Sequence, residues 1–350
     1  MIKQAVAALA AASVLGFAAP ALAQTDVLVL PGAAGTWSFL PQSAFGIGGA
    51  NNPYIDANYY SCAGGCTVSL IPYPRTVGPL FGPNAPSGNK TIAVGVSLTE
   101  QSITDPAHDP VVVAGLSLGS VTADALQHYY DTHPADAPPP SRVTFIVSGD
   151  PTRATPQTMG LATYLPAETT IPVFGYTVNR PDTQSPYNTV VVVGEYDGWA
   201  DFPDRPWNLL ADVNAVAGMA HVHSNSSLSS PDGVPPQNIT VTTNSTGATT
   251  TTYLVPTPTL PLLQPLAQLG VPAPAVTTLN TALKPLVDAG YSRNDTATGV
   301  HAPYLQPTNG LPRLVVPAPK PATTATRKPA TTATPKVGKT ALTKAAHGHR

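Results

Sequence analysis

The stretch Pro110-Val-Val-Val-Ala-Gly-Leu-Ser-Leu-Gly-Ser-Val-Thr-Ala-Asp-Ala-Leu126 limits the possible folds more than any other part of the chain. A short apolar run leads straight into Gly115-Leu116-Ser117-Leu118-Gly119, and a helix-permissive segment follows at once. A strand that turns this sharply into a helix brings backbone close to both flanks of the central residue. Glycine at 115 and a small residue at 119 meet that requirement, so the stretch reads as a nucleophile elbow with Ser117 exposed at the strand end. The plainer alternative is a glycine-rich turn whose serine caps the next helix. The strand before it and the helix after it favour the elbow.

Similar short runs surround the elbow. Thr25-Asp-Val-Leu-Val-Leu30 reads as a first strand ending in Pro31-Gly32-Ala33, and Thr67-Val-Ser-Leu-Ile-Pro-Tyr73 as a second. Ile92, Val96 and Ile103 lie near helical spacing, which predicts a helix over Thr91 to Thr104 before the strand Val111 to Ala114. The helix after Ser117 runs to about His133, where Pro134 and the prolines at 138 to 140 stop it. Arg142 to Ser148 and Thr189 to Val193 are continuous apolar runs, the mark of strands covered on both faces. Strands and helices alternating in this way imply a mostly parallel sheet flanked by helices, an α/β fold.

Further along, Trp207 to Ala220 is expected to be a helix with Leu209, Val213, Val216 and Ala220 on one stripe. Residues 224 to 252, rich in Ser, Asn and Thr, read as a loop or irregular hairpin. Tyr253 to Arg293 is leucine-rich and broken by prolines, and reads as two short helices that cover something, the active-site mouth being one place for them.

With 350 residues, 42% of them hydrophobic, the chain has room for one large domain with appendages. Charged residues make up only 10%, against about 25% in ordinary soluble domains, and there are 41 prolines. Met1 to Ala23 has the form of a secretory signal peptide: Lys3, an apolar stretch from Ala5 to Ala19, then Ala21-Leu22-Ala23 before Gln24. A membrane anchor is the alternative, but the run is short and alanine-rich. No other stretch approaches the roughly 18 apolar residues of a spanning helix, so the mature protein is expected to be secreted or held in the cell envelope without a transmembrane helix.

In that oxidising setting Cys62 and Cys66, the only cysteines, read as a disulfide closing a tight loop. Zinc would need a second ligand pair nearby, and none is present. The net charge of −2 combines an acidic body with a basic tail: residues 301 to 350 carry eight Lys/Arg and no Asp/Glu. Repeats such as Pro321-Ala-Thr-Thr-Ala-Thr rule out a packed core there and suggest a disordered stalk able to touch anionic envelope polymers. No nucleic-acid partner is expected. The expected organisation is therefore a signal peptide over 1–23, a catalytic domain over 24–300 and a disordered tail over 301–350.

A serine nucleophile needs a base to take its proton and an acid to orient that base. In α/β-hydrolases they follow in the order Ser, Asp or Glu, His. His128 and His133 fall on the helix leaving the elbow, and His347 and His349 fall in the tail, which leaves His221, His223 and His301. For the acid, the buried strand ending at Val193 opens into a loop holding Glu195, Asp197 and Asp201, at the strand end where open α/β sheets build their sites. Asp197 ranks first, Asp201 second, and Asp150 after the preceding strand third. Asp201 or Asp204 could instead cap the helix at Trp207.

These residues resemble the PE-PPE domain family of mycobacteria and their relatives, a cutinase-like group of serine α/β-hydrolases. The resemblance spans roughly residues 26 to 295. It rests on Leu30-Pro-Gly, the elbow, and above all Gly194-Glu-Tyr-Asp-Gly-Trp-Ala-Asp-Phe-Pro-Asp-Arg-Pro-Trp-Asn-Leu-Leu-Ala211 followed by Asn214-Ala and His223. Pro261-Leu-Leu-Gln-Pro-Leu266 and Gly290-Tyr-Ser-Arg293 also look like it. The family's usual Pro-Gly-Thr is Pro31-Gly32-Ala33 here, and a signal-like segment stands where a PE or PPE helical module would precede the domain.

The resemblance implies a triad of Ser117, Asp197 and His223, with the backbone amides of Ala33 and Leu118 as the oxyanion hole. It also implies action on acyl or lipid esters without metal or cofactor, by hydrolysis or by acyl transfer between envelope lipids. A non-catalytic envelope-binding protein that keeps the fold is the reading from another class.

Overall fold

The computed structural model describes residues 24–33, 59–60, 65–105, 109–180, 183–223, 225–296 and 301–317. The signal-like segment, Cys62 and the chain from 318 onward lie outside the described residues, so the expected Cys62–Cys66 bridge stays an expectation.

Seven strands form one sheet: β1 (Thr25–Leu30), β2 (Cys66–Leu70), β3 (Val111–Leu116), β4 (Val143–Ser148), β5 (Thr189–Gly194), β6 (Ile239–Thr243) and β7 (Thr249–Val255). Their spatial order is β2-β1-β3-β4-β5-β7-β6. All neighbours run parallel except β6, which pairs antiparallel with β7. The helices are α1 (Gly88–Thr104), α2 (Leu118–Thr132), α3 (Leu209–His221), α4 (Gln264–Gln268) and α5 (Ala273–Asp288). This is the expected α/β-hydrolase architecture, a mostly parallel sheet flanked by helices.

The period of two along each strand divides the core. On one face Leu28, Leu30, Val111, Val113, Phe145, Val147 and Val191 pack against Ile92 and Ile103 of α1 and Val121, Leu126 and Tyr130 of α2. On the other, Val27, Val29, Val112, Ala114, Ile146 and Val192 meet Tyr59, Val234 and Val255. Full burial of each such side chain stabilises by roughly 2 kcal/mol, so β3, buried along its whole length, is a firm base for the elbow. A third cluster of Tyr196, Ala211, Leu260, Leu263, Val287 and Tyr291 lies among α3, α5 and the loop after β5.

Three expectations need correction. Residues 239–255 do form a hairpin, one of the two expected forms, but a regular one: the threonine-rich segments pair as β6 and β7, where β-branched side chains suit a pleated, half-buried surface. The stripe on α3 faces outward, with Leu209 73%, Val213 60% and Val216 53% exposed, while Ala211, Ala215 and Gly218 face in. The inner face carries small residues because the backbone after β5 passes so close: a Cβ at Gly218 would lie 1.8 Å from the Tyr196 carbonyl oxygen.

Finally, the body does not stop at residue 300. Tyr304–Gln306 and Arg313–Val315 pair as an antiparallel hairpin. Leu305 N–H donates to the Asp204 carbonyl at 2.7 Å, and Arg205 donates to the carbonyls of Pro303 and Ala302 at 3.1 and 2.9 Å. Hydrogen bonds from the backbone and from the Arg205 guanidinium hold this segment, and they do not need the apolar burial that its composition lacks.

Candidate active site

Leu116 ends β3 and Leu118 begins α2, which leaves Ser117 alone between them at φ 55° and ψ −116°. A non-glycine residue held there costs on the order of 1 kcal/mol. Clearance explains the flanking glycines. A Cβ at Gly115 would lie 2.4 Å from the Gly119 carbonyl oxygen, and one at Gly119 would lie 1.8 Å from the Leu30 carbonyl oxygen. The elbow is also tied to β4. Ser117 N–H donates to the Ser148 carbonyl at 2.9 Å, and the buried Ser120 hydroxyl lies 2.7 Å from the same oxygen while accepting Ser148 N–H at 2.9 Å.

His223 comes two residues after α3. Its Nδ1 lies 2.8 Å from Asp197 Oδ2, and its Nε2 lies 2.8 Å from Ser117 Oγ. An ionised carboxylate only accepts, so Nδ1 carries the proton and Nε2 is free to accept from the Ser117 hydroxyl. Asp197 is fully buried, and its Oδ1 accepts Trp199 N–H at 2.9 Å, which fixes the carboxylate plane. Gly149, at φ 61°, leaves room for the imidazole: a Cβ there would lie 2.8 Å from His223 Cε1. The Trp199 ring packs 6.3 Å from the imidazole, centroid to centroid.

The other candidates are engaged elsewhere. Asp201 forms a buried two-pronged pair with Arg293, at 2.6 and 2.8 Å, and its Oδ2 accepts Tyr196 N–H at 2.8 Å. Burial pushes its carboxyl up to about 6 against the pull of Arg293. Asp150 accepts the Thr152 amide and hydroxyl, both at 2.8 Å, at the turn after β4. His301 is exposed and its Nε2 donates to the Thr296 carbonyl at 2.8 Å, while His133 stacks on Tyr129. His221 is the last residue of α3, and its carbonyl accepts from Asn225. Neither Asp201 nor Asp204 caps α3. Asn208 does, accepting Ala211 N–H at 3.2 Å, and Asp204 accepts from Ser292 instead, because α3 starts at Leu209 rather than Trp207.

The loop after β1 lies against the elbow: a Cβ on Gly32 would lie 3.3 Å from Ser117 Cβ. Among the described residues, neither the Ala33 amide beside it nor the Leu118 amide at the start of α2 donates to a backbone carbonyl. Among the same residues no His, Cys, Asp and Glu cluster could hold a metal ion, and no helix is long and apolar enough to cross a membrane.

Gly149, Ser120, Trp199 and Arg293 shape the site, and sequence reasoning did not single them out for it. Gly149 had a signal, a glycine directly after the strand that ends at Ser148. Arg293 had none beyond its place in the Gly290-Tyr-Ser-Arg ending, since its partner lies 92 residues away.

The sheet order and the strained elbow give the chain the fold of the α/β-hydrolase class. Within that class the chain belongs to the PE-PPE domain family, whose model matches residues 64–292. Similar proteins in Mycobacterium tuberculosis include the uncharacterized PPE family protein PPE63, 46% identical over 69% of this chain and 49% of that protein. They also include the SL1278 acyltransferase Chp1, 37% identical over 81% of this chain and 67% of that protein, and the esterase PE16, 30% identical over 69% and 44%. The chain spans about half the length of PPE63. Its named relatives thus include an acyltransferase and an esterase.

Proposed function

We propose that this protein is a serine-dependent acyl-ester enzyme, with Ser117 as nucleophile, His223 as general base and acid, and Asp197 as the residue that orients His223. The observation that carries the reading is the unbroken row Ser117 Oγ–His223 Nε2 and His223 Nδ1–Asp197 Oδ2, 2.8 Å at each step, set on a nucleophile elbow. Ser117 Oγ adds to the ester carbonyl carbon while its proton passes to His223 Nε2. The carbonyl oxygen becomes an oxyanion, received by the Ala33 and Leu118 amides. Collapse expels the alcohol, which takes the proton from His223, and leaves Ser117 acylated. Water then releases a carboxylic acid, or a second alcohol takes the acyl group as a new ester.

Acyl transfer is the second reading, favoured by the similarity to Chp1 along 81% of this chain. Lipid esters are the proposed substrate class. The signal-like start suggests secretion or envelope residence, the basic tail suggests contact with anionic envelope polymers, and oxidation of Cys62 with Cys66 would follow from export. A fluorophosphonate probe tests the central claim. Labelling at Ser117 is expected, and folded protein that stays unlabelled would remove the enzyme reading in favour of a binding protein. Ester turnover with and without added long-chain alcohols then separates hydrolysis from transfer by the product formed.

A further inference from the structure

The loop after β1 is held from behind by the segment that follows β2. The Tyr73 hydroxyl donates to the Pro31 carbonyl, and Arg75 Nε donates to the Gly32 carbonyl at 2.7 Å. Arg75 has φ of 59°, in the left-handed region that disfavours any residue with a side chain. Arg153, Arg205 and Arg293 each approach a carboxylate at 2.5 to 2.6 Å, whereas Arg75, like Arg180, donates to backbone oxygen, and in its case that oxygen lies in the loop beside Ser117.

A peptide unit is planar and trans, so its C=O and its N–H point in opposite directions. The Gly32 carbonyl and the Ala33 amide belong to one unit. With the oxygen held by Arg75, the hydrogen is turned away from Arg75, and Ser117 lies against Gly32 at the clearance given above. We propose that Arg75 is a positioning residue for transition-state binding. It locks the Gly32–Ala33 peptide plane so that the Ala33 amide meets the oxygen that becomes negative when Ser117 adds to an ester.

Residue 33 is alanine, with no side-chain donor, so this side of the hole depends on the direction of one backbone N–H. Gly32 lacks the Cβ that would restrict its own rotation, and the guanidinium supplies the missing constraint. This inference rests on the proposed serine-dependent reading, in which Ser117 adds to an acyl ester.

The test uses Arg75→Gly in the full chain, because glycine adopts φ of 59° without strain and the fold should keep its melting temperature. On a short soluble ester, kcat is expected to fall about 30-fold or more, with KM within about twofold, since an oxyanion donor acts in the transition state and not on the bound ester. The inhibition constant of an alkylboronic acid should rise by a matching factor. Its boron bonds to Ser117 Oγ, and a boron-bound oxygen sits where the oxyanion would. Arg75→Met is the second variant, with the same pattern expected, and Arg75→Lys should recover part of the loss by donating from Nζ.

A folded Arg75→Gly whose kcat and boronic acid affinity both stay at the parent level overturns the proposal. So does a loss of kcat with boronic acid affinity unchanged. Ser117→Ala and His223→Ala, measured alongside, separate the two levels. If they still turn over ester, the serine reading falls and takes this proposal with it. If they are inactive and Arg75→Gly is fully active, the Arg75 tether alone falls.

Discussion

The two sides of the Ser–His–Asp row are built in different ways. On the Ser117 side, residues 115 to 119 supply both the turn and the glycines that make it possible, and their close contacts are with backbone of the elbow itself and of β1. On the Asp197–His223 side, the two residues flank α3, and what holds them is distant in sequence. The Asp197 turn follows Tyr196, at φ 67°, whose N–H is held by Asp201, and Asp201 is held by Arg293. The small-residue face of α3 then presses on the same turn: besides the Gly218 approach, a Cβ at Gly198 would lie 2.2 Å from the Ala215 carbonyl oxygen. The turn at Ser117 is thus made by its own glycines and braced by Leu30 of β1 and Ser148 of β4, whereas Asp197 and His223 meet only through packing between segments that no local turn connects.

The largest expected effect joins the two sides. Ser117→Ala and His223→Ala should each lower kcat by about a million-fold, with the double variant scarcely worse, and Asp197→Asn by about ten-thousand-fold. Steady-state turnover checks this, and a His221→Ala variant more damaging than His223→Ala would move the base. Next comes the long-range clamp. Asp201→Ala leaves the buried Arg293 guanidinium and the Tyr196 N–H without their acceptors and should cost about 3–5 kcal/mol in urea unfolding.

That clamp also predicts a pH trend. The folded Asp201 carboxyl, pushed up to about 6 by burial, lies above its ordinary value of 3.8. The folded state therefore holds the proton more tightly, and the stability carried by this group rises as pH falls through 6 and is fully present below about 4. The parent should gain on the order of 2 kcal/mol over Asp201→Asn on acidification from pH 7 to 4. A gap that narrows instead would mean that Arg293 keeps the carboxylate ionised.

A smaller effect, about 2 kcal/mol, is expected for Gly218→Ala, which forces α3 off the Asp197 turn. In folded protein kcat should fall about 100-fold through displaced geometry. Unchanged kcat would show that the Asp197–His223 side tolerates movement of the helix. The smallest effect is at the surface: Val213→Ser, on the outward row of α3, should change stability by no more than about 0.5 kcal/mol. A loss as large as that of Gly218→Ala would mean that this row is covered.

Much of this protein was legible in its residues. The elbow, the strands through Val111, Val143 and Thr189, and the shortlist holding Asp197 and His223 follow from glycine spacing, the period of a pleated strand and chain order, all of which are properties of neighbouring residues. Tertiary structure decided the rest. Hydrophobicity pointed Leu209, Val213 and Val216 inward, but the space beside the Tyr196 carbonyl admits only the small side of α3, so shape set that face. Asp197 and Asp201 look alike in the sequence, since both lie in the loop after β5, and both are fully buried in the fold. One meets His223 and the other meets Arg293 because of where α3 and the distant residues 290 to 293 come to rest, and no local pattern carries the position of a partner 92 residues away.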